Sequence, residues 1–416
     1  VTGLPSTLPV RVAPALLRPR TSAYRTTMLV VAAGGLVNFA LLYYVQPLLP
    51  ALAHDFGVAP ADSGLALSVC TLGMLAGLVI TGPLADRLGR TRVMAASLVI
   101  AGALSLLGAF APSWPLFLAA RAAAGIALAG FPSIALATLR ERIHEDAHAR
   151  ANATYIAATA VGGALARVFP GPLAAVGGWR LPTYLFGAVT VLIGVFVVVV
   201  LRGRENTVRT AGASGDLGAT FRALADRRTA LLCLLGGVNM AVFVGVYNAV
   251  AFRLEAAPFT LGASEALVYL AYPIGILAPA VFRLVSTRFS RRTTAGAGAV
   301  LLAVAVAVLI PSALPTVLVG LGILTFGFLG THGVLSAWVV DAAHRAGRST
   351  TGASSAYLLV YYLGSTVAGA ASTSLWSAGG WAAITGLGFV MAAVSGILVA
   401  ALRSSERRGR SIRTTR

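Results

Sequence analysis

Lysine does not occur in this chain; all 32 basic residues are arginine. Acids are scarcer still, 13 in 416 residues, and charged side chains together make up only 11%. A water-soluble domain carries roughly a quarter, so these charges are too few to cover a surface that meets water everywhere. Cysteine is nearly absent. Cys70 and Cys233 lie in apolar runs with no His or Cys nearby at metal-ligand spacing. That excludes a disulfide framework and a zinc site, and no metal or other cofactor is expected. A Gly-x-x-x-x-Gly-Lys loop is missing, which removes the usual means of ATP hydrolysis. No cluster of His, Asp or Glu and no long loop suggests an enzyme. Nothing resembles a cleaved signal peptide either, because the first strongly apolar run begins near Met28 and is too long for one.

Hydrophobic residues fill the space, at 57% of the chain. Runs such as 181–201 and 381–402 reach the ~20 residues that carry a helix across a bilayer. The short alternating segments of a membrane β-barrel are not seen. Twelve spans are expected, at 28–50, 64–84, 93–111, 115–138, 152–176, 181–201, 229–252, 264–285, 294–311, 314–340, 350–375 and 381–402. The predicted fold is an all-α integral membrane protein with twelve transmembrane helices in two pseudo-symmetric six-helix halves. A tail (1–27) precedes the first half (28–201), a polar linker (202–228) joins it to the second (229–402), and a basic tail (403–416) follows.

The formal charge of +19 does not point to nucleic acid, because the arginines stand in short clusters between apolar runs. Twenty-eight of them fall in the two tails, the linker and alternate loops, counting Arg283 at the end of its span; the other loops hold only Arg180 and Arg253. Cytoplasmic loops are the arginine-rich ones, so both tails and the linker are expected inside the cell, in a bacterial inner membrane. The halves also repeat. An offset of 201 takes Gly35, Asn38 and Arg87 onto Gly236, Asn239 and Arg288; an offset of 202 takes Tyr155, Gly162 and Trp179 onto Tyr357, Gly364 and Trp381. A duplicated six-span unit is the plan of transporters that alternate access around a central site.

Between spans two and three stands Gly82-Pro-Leu-Ala-Asp86-Arg87-Leu-Gly89-Arg90-Thr-Arg92. Its glycines permit a close contact and a sharp turn, and its carboxylate suits the N–H groups at a helix N-terminus. With twelve spans and a six-plus-six repeat, this segment resembles the loop signature of the major facilitator superfamily. The resemblance extends to Arg121 and Gly125 in span four, to a glycine-rich fifth-span motif, and to Tyr44-Val-Gln46-Pro47 closing span one. Bacterial sugar and drug efflux permeases, drug:proton antiporters among them, are the nearest group. The fifth-span motif runs through Gly162, Arg167, Pro170 and Gly171, with an arginine in the middle that departs from that group's pattern. What the resemblance implies is a monomer that moves a small organic solute outward, with protons as the coupling ion. It also implies a gating latch in which Gly82, Asp86, Arg87, Gly89 and Arg90 close the cytoplasmic side, Asp86 meeting the eleventh helix near Thr350.

No acid sits mid-span; Arg121, Arg167 and His332 are the ionisable groups that do. An arginine at the centre of a membrane helix costs about 2.5–3.5 kcal/mol, so each needs a polar partner, a cavity or a bound anion. Two readings stand side by side: the arginines brace helices, or they bind the anion of an organic-anion importer or antiporter. His332 is the candidate proton carrier, being the mid-span group whose ordinary pKa is near neutral. The remaining candidate solute residues are Asn38, Tyr43, Asn239, Tyr247, Asn248, Tyr357 and Tyr361.

Overall fold

A computed structural model describes residues 16–201 and 217–414, and the side chains of 86, 136, 137, 140, 141, 149, 217, 263–265 and 403–414 lie outside that description. Most of the linker and the first part of the N-terminal tail therefore lie outside it too. The described chain is helical almost throughout; its one extended pairing is an isolated bridge between Leu17 and Ile143. Among the described residues, eleven helices are long and apolar enough to cross a membrane. Ten are α1 (Ser22–Phe56), α2 (Pro60–Ala85), α3 (Arg90–Ala109), α4 (Trp114–Ala135), α5 (Glu145–Gly177), α6 (Arg180–Leu201), α7 (Arg227–Glu255), α8 (Ala266–Arg288), α9 (Arg291–Val308) and α10 (Leu314–Arg345). The eleventh, Thr350–Leu402, contains two spans. Gly379 and Gly380 leave helical geometry, Gly380 at φ 57°, so 350–378 is α11 and 381–402 is α12. The backbone helix then runs on to Thr414, where a tail was expected.

Polar caps mark where several spans begin. Thr21 accepts the Tyr24 N–H at the start of α1, and Ser290 accepts that of Thr293 before α9, each satisfying a donor the first turn leaves free. Asp226 caps α7 through the N–H and hydroxyl of Thr229, and pairs with Arg348 at 2.7 Å. Partial burial alone would raise its carboxyl pKa, but those hydrogen bonds and the guanidinium outweigh it and hold Asp226 below the ordinary range.

The internal repeat is visible in the packing. In the first half, Gly35 lies under the Tyr155 ring, and Gly162 sits against the Leu36 carbonyl with no room for a Cβ. In the second half, Gly236 lies under Tyr357, and Gly364 sits against the Gly237 carbonyl. The same two contacts thus join α1 to α5 and α7 to α11 at the offsets read from the sequence. Gly73, Gly77 and Gly125 bring α2 and α4 backbone to backbone in the same way, as small residues do between membrane helices. Outward faces are apolar: Leu192 and Val199 on α6, Leu107 on α3 and Ile397 on α12 are exposed. Lipid is the solvent such a surface requires.

Several spans are broken, and the breaks fall where polar chemistry collects. α1 leaves the α-helix after Tyr43, makes a 3-10 turn at Gln46–Leu48 and resumes at Leu49. α5 breaks between Val168 and Pro170, since proline brings no N–H to continue the ladder. Residues Gly262–Ile276, which include the first half of α8, are 3-10 with Pro273 inside; an uninterrupted α-helix was expected there. Irregular backbone at membrane depth occurs where it is buried in protein or lines a cavity.

Candidate functional site

Arg121, on α4, is 2% exposed. Its Nε donates to the Ala66 carbonyl at 3.1 Å, Nη1 to Leu41 at 3.1 Å and Nη2 to Leu42 at 2.9 Å. Leu41 and Leu42 stand in the last turn before the α1 break, where carbonyls run out of helical donors. The guanidinium supplies those donors, and lies 5.3 Å from the Tyr44 ring centroid. All three of its nitrogens are engaged in tying α4 to α1 and α2.

Arg167, on α5, is 0% exposed and differently placed. Nη1 donates to Gly163 one turn back at 2.8 Å, while Nε and Nη2 have no hydrogen-bond partner. Aromatic faces surround it. Its guanidinium carbon lies 4.9 Å from the ring centroid of Tyr43, 5.4 Å from Phe243, 4.8 Å from Tyr247 and 4.7 Å from Tyr272. Tyr43 belongs to the first half with Arg167; Phe243, Tyr247 and Tyr272 belong to the second. The cation therefore sits at the junction of the halves, between the α1 and α5 breaks and the 3-10 stretch of α8. Such cation–π contacts are each worth about 2 kcal/mol when desolvated, and none neutralises the charge.

A chain of rings leads away from it. Phe243 stacks on Phe328 at 4.1 Å, and Phe328 on His332 and Tyr361, each at 6.2 Å. His332 is partly exposed; its Nδ1 shares a 2.9 Å hydrogen bond with the Tyr357 hydroxyl. Tyr247 shares one with Thr325 at 2.7 Å. Tyr43, Arg167, Tyr247, His332, Tyr357 and Tyr361 thus form one continuous cluster.

Other candidates lie elsewhere. Asn248 accepts from Gln46 Nε2 at 2.7 Å, part of a seam joining the halves at the bundle end away from Asp226. In the same seam Ser68 donates to the Thr366 carbonyl at 2.9 Å, Thr71 and Thr366 share a hydroxyl bond at 2.9 Å, and Thr373 donates to Ala61 at 2.7 Å. Asn38 and Asn239, matched in sequence, part company. Asn239 bonds back to Leu235 at 2.7 Å, whereas neither amide atom of the fully buried Asn38 has a partner. At the other end Gly89 turns the chain at φ 93°, a conformation that favours glycine. Gly82 and Arg90 are half-buried there and Arg87 is exposed. Whether Asp86 engages α11 lies outside the described residues. In the fifth-span motif, Gly162 packs on Leu36, Pro170 opens the second segment of α5, and Gly171 is buried beside it.

Sequence reasoning did not single out Phe243, Tyr272, Phe328 or Thr325. Two signals were present: Phe243 precedes Tyr247 by four residues, on one helix face, and Tyr272 adjoins Pro273.

Among the described residues, twelve membrane helices form two repeated halves that meet at a buried cluster contributed by both, the architecture of a polytopic transporter. Residues 31–369 match the model of the Major Facilitator Superfamily, and the chain belongs to that family. It is 29% identical over 373 residues to the MFS-type transporter YybF of Bacillus subtilis, covering 89% of this chain and 92% of that one. It is 31% identical over 385 residues to the inner membrane transport protein YnfM of Escherichia coli, covering 87% and 86%. A shorter match, 31% over 205 residues and 48% of this chain, is to a chloramphenicol resistance protein of Streptomyces lividans, of which it covers 51%. Among solved structures, a bacterial homologue of the human lysosomal transporter Spinster, inward-facing and unoccupied, superposes with a TM-score of 0.76 at 16% identity, covering 92% of this chain and 97% of that one. The nucleoside transporter NupG superposes at 0.71 and 14% identity, covering 91% and 99%.

Proposed function

We propose that this chain exports a small organic solute from the bacterial cytoplasm across the inner membrane, by proton-coupled alternating access. The observation that carries this reading is the composition of the Arg167 cluster: Tyr43 and Arg167 come from one half, Phe243, Tyr247 and Tyr272 from the other. Rocking one half against the other would take the cluster apart and expose it, with the Gln46–Asn248 and Ser68–Thr366 seam as the contact that must open. Residues 28–201 and 229–402 are the moving bodies, working as a monomer. Outward direction draws support from the partial likeness to a chloramphenicol resistance protein. Proton coupling rests on His332, joined to the cluster through Phe328. In this reading Arg121 is a brace and takes no part in solute binding. The Gly82–Arg90 loop is the latch on the cytoplasmic side, with both tails and the linker on that side.

Proteoliposome flux under an imposed pH gradient tests the reading. Export of at least one solute from a metabolite and antibiotic panel, reversing with the gradient, is the expected result. Flux indifferent to the gradient would remove proton coupling, and no flux for any panel solute would sink the reading. Orientation is checked separately in a background without Cys70 and Cys233. Cysteines introduced at Ser214 and Ser405 should resist impermeant thiol reagents in intact cells, and labelling of either from outside would invert the topology.

A further inference from the structure

One edge of the Arg167 guanidinium makes no hydrogen bond to the protein. Nη1 is taken by the Gly163 carbonyl, and the two free nitrogens are Nε and Nη2. Those two are not an arbitrary pair. Their N–H bonds lie parallel on one side of the planar group, and together they form the fork that accepts a carboxylate side-on through two hydrogen bonds. Arg121 offers the contrast, since all three of its nitrogens already donate to carbonyls.

Charge leads to the same ligand. All thirteen acids of the chain lie in loops or near span ends, so no mid-span carboxylate can serve as counter-ion. A fully desolvated cation resting on π faces is incompletely compensated, and an anion brought in with the solute would complete it. Arg167 is the one cation among the residues of this cluster, so a single negative charge balances it. The walls define the remainder of the solute. Tyr43, Phe243, Tyr247 and Tyr272 offer flat, weakly polar surfaces, which favour an unsaturated or aromatic body over a sugar or an inorganic ion.

We infer that the transported solute is an organic monocarboxylate with a planar, unsaturated body, its carboxylate held side-on by Nε and Nη2 of Arg167. This rests on the transport reading above and supplies its substrate class. Tyr43 and Arg167 hold the solute on one half, and the three second-half rings close over it from the other. A cationic solute is excluded from this site by the guanidinium at its centre.

The test is binding to the purified full-length chain in lipid nanodiscs, using three carboxylates against their own amides. The probes are benzoate and benzamide, cinnamate and cinnamamide, and indole-3-acetate and indole-3-acetamide. Each amide keeps the shape and the ring while removing the charge. At least one carboxylate should bind roughly ten-fold or more tightly than its amide, the discrimination expected of a charge-assisted pair. Arg167→Gln should erase that ratio; Arg167→Lys should keep part of it, because charge survives while the fork is lost. Should Arg167→Gln fail to fold, the wild-type ratio decides alone. No carboxylate exceeding its amide in the wild type overturns the proposal, and so does a ratio that persists in Arg167→Gln. Chloride displacing the probe as well as unlabelled carboxylate does would show an inorganic-anion site and overturn it too. Flux separates this from the transport reading. Movement of neutral or cationic solutes, with no carboxylate preference, would remove the anion site and leave a transporter. A carboxylate that binds through Arg167 yet never crosses the bilayer would remove transport and leave the site.

Discussion

Arg121 and Arg167 are alike in sequence terms, each an arginine in the interior of an apolar span with alanines and a nearby glycine, and the fold uses them in opposite ways. Arg121 lies within one half and gives every nitrogen to a carbonyl of α1 or α2. Arg167 lies between halves, keeps two nitrogens unpaired and faces four aromatic rings. The lesson is that a buried charge becomes structural when backbone carbonyls take up all its donors, and stays available for function when rings meet most of it. Carbonyls satisfy a guanidinium; rings attract it without using up its donors.

The sharpest way to break this comparison is to remove each charge in turn. Arg121→Met should have the largest effect on stability. Three buried carbonyls lose a donor, each at about 1–3 kcal/mol, so the melting temperature in detergent should fall by roughly 10 °C or more or the protein should fail to accumulate. A wild-type melting curve for Arg121→Met would end its role as a brace. Arg167→Met should show the reverse pattern. Apolar replacement of buried charged groups at similar volume is often neutral or stabilising, and here the lost ring contacts offset part of that gain, so the melting temperature should hold while flux falls about a hundredfold. Equal thermal losses in the two variants would collapse the distinction.

Trimming the rings sharpens it further. Tyr272→Leu removes one face from the Arg167 cage and should weaken solute binding by about two- to thirty-fold, in line with roughly 0.5–2 kcal/mol per cation–π contact. Tyr272→Phe keeps the face and should bind nearly as the wild type does. If the Phe and Leu variants bind equally, the ring face is irrelevant. The smallest effect is expected at His332, two stacked rings away from Arg167. His332→Gln should leave binding intact and flatten the flux–pH profile a few-fold. A profile as steep as the wild type's would place proton coupling elsewhere.

Much of the architecture was legible beforehand because membrane insertion is written in composition. Long apolar runs, arginine clusters and a near-constant 201–202 offset depend on residue identity alone, and the Gly35–Tyr155 and Gly236–Tyr357 contacts repeat at those offsets. The site was legible only in part. Tyr43, Tyr247, His332, Tyr357 and Tyr361 stood out as polar aromatics or ionisable groups in apolar spans, and they do gather together. Phe243 and Phe328 did not, since a phenylalanine in such a span is indistinguishable from one packed against lipid or core. The matched pair Asn38 and Asn239 misled in a different way. Equivalent positions in a repeat share a backbone setting, but whether an amide bonds its own helix or stays unpartnered depends on neighbours that have diverged.

By itself, the sequence determined that this is a helical membrane protein in two repeated halves, that three ionisable groups stand mid-span, and that no acid accompanies them, because hydrophobic length and charge content are local properties of the chain. Only the tertiary structure decided which arginine is consumed and which is left open. That outcome depends on where α1 and α5 break and which helices cross at those breaks, with α1 carbonyls turned toward Arg121 and second-half rings brought over Arg167. Hydrogen-bond satisfaction between residues eighty positions apart, or across the two halves, is set by packing geometry, and one-dimensional spacing carries no record of it.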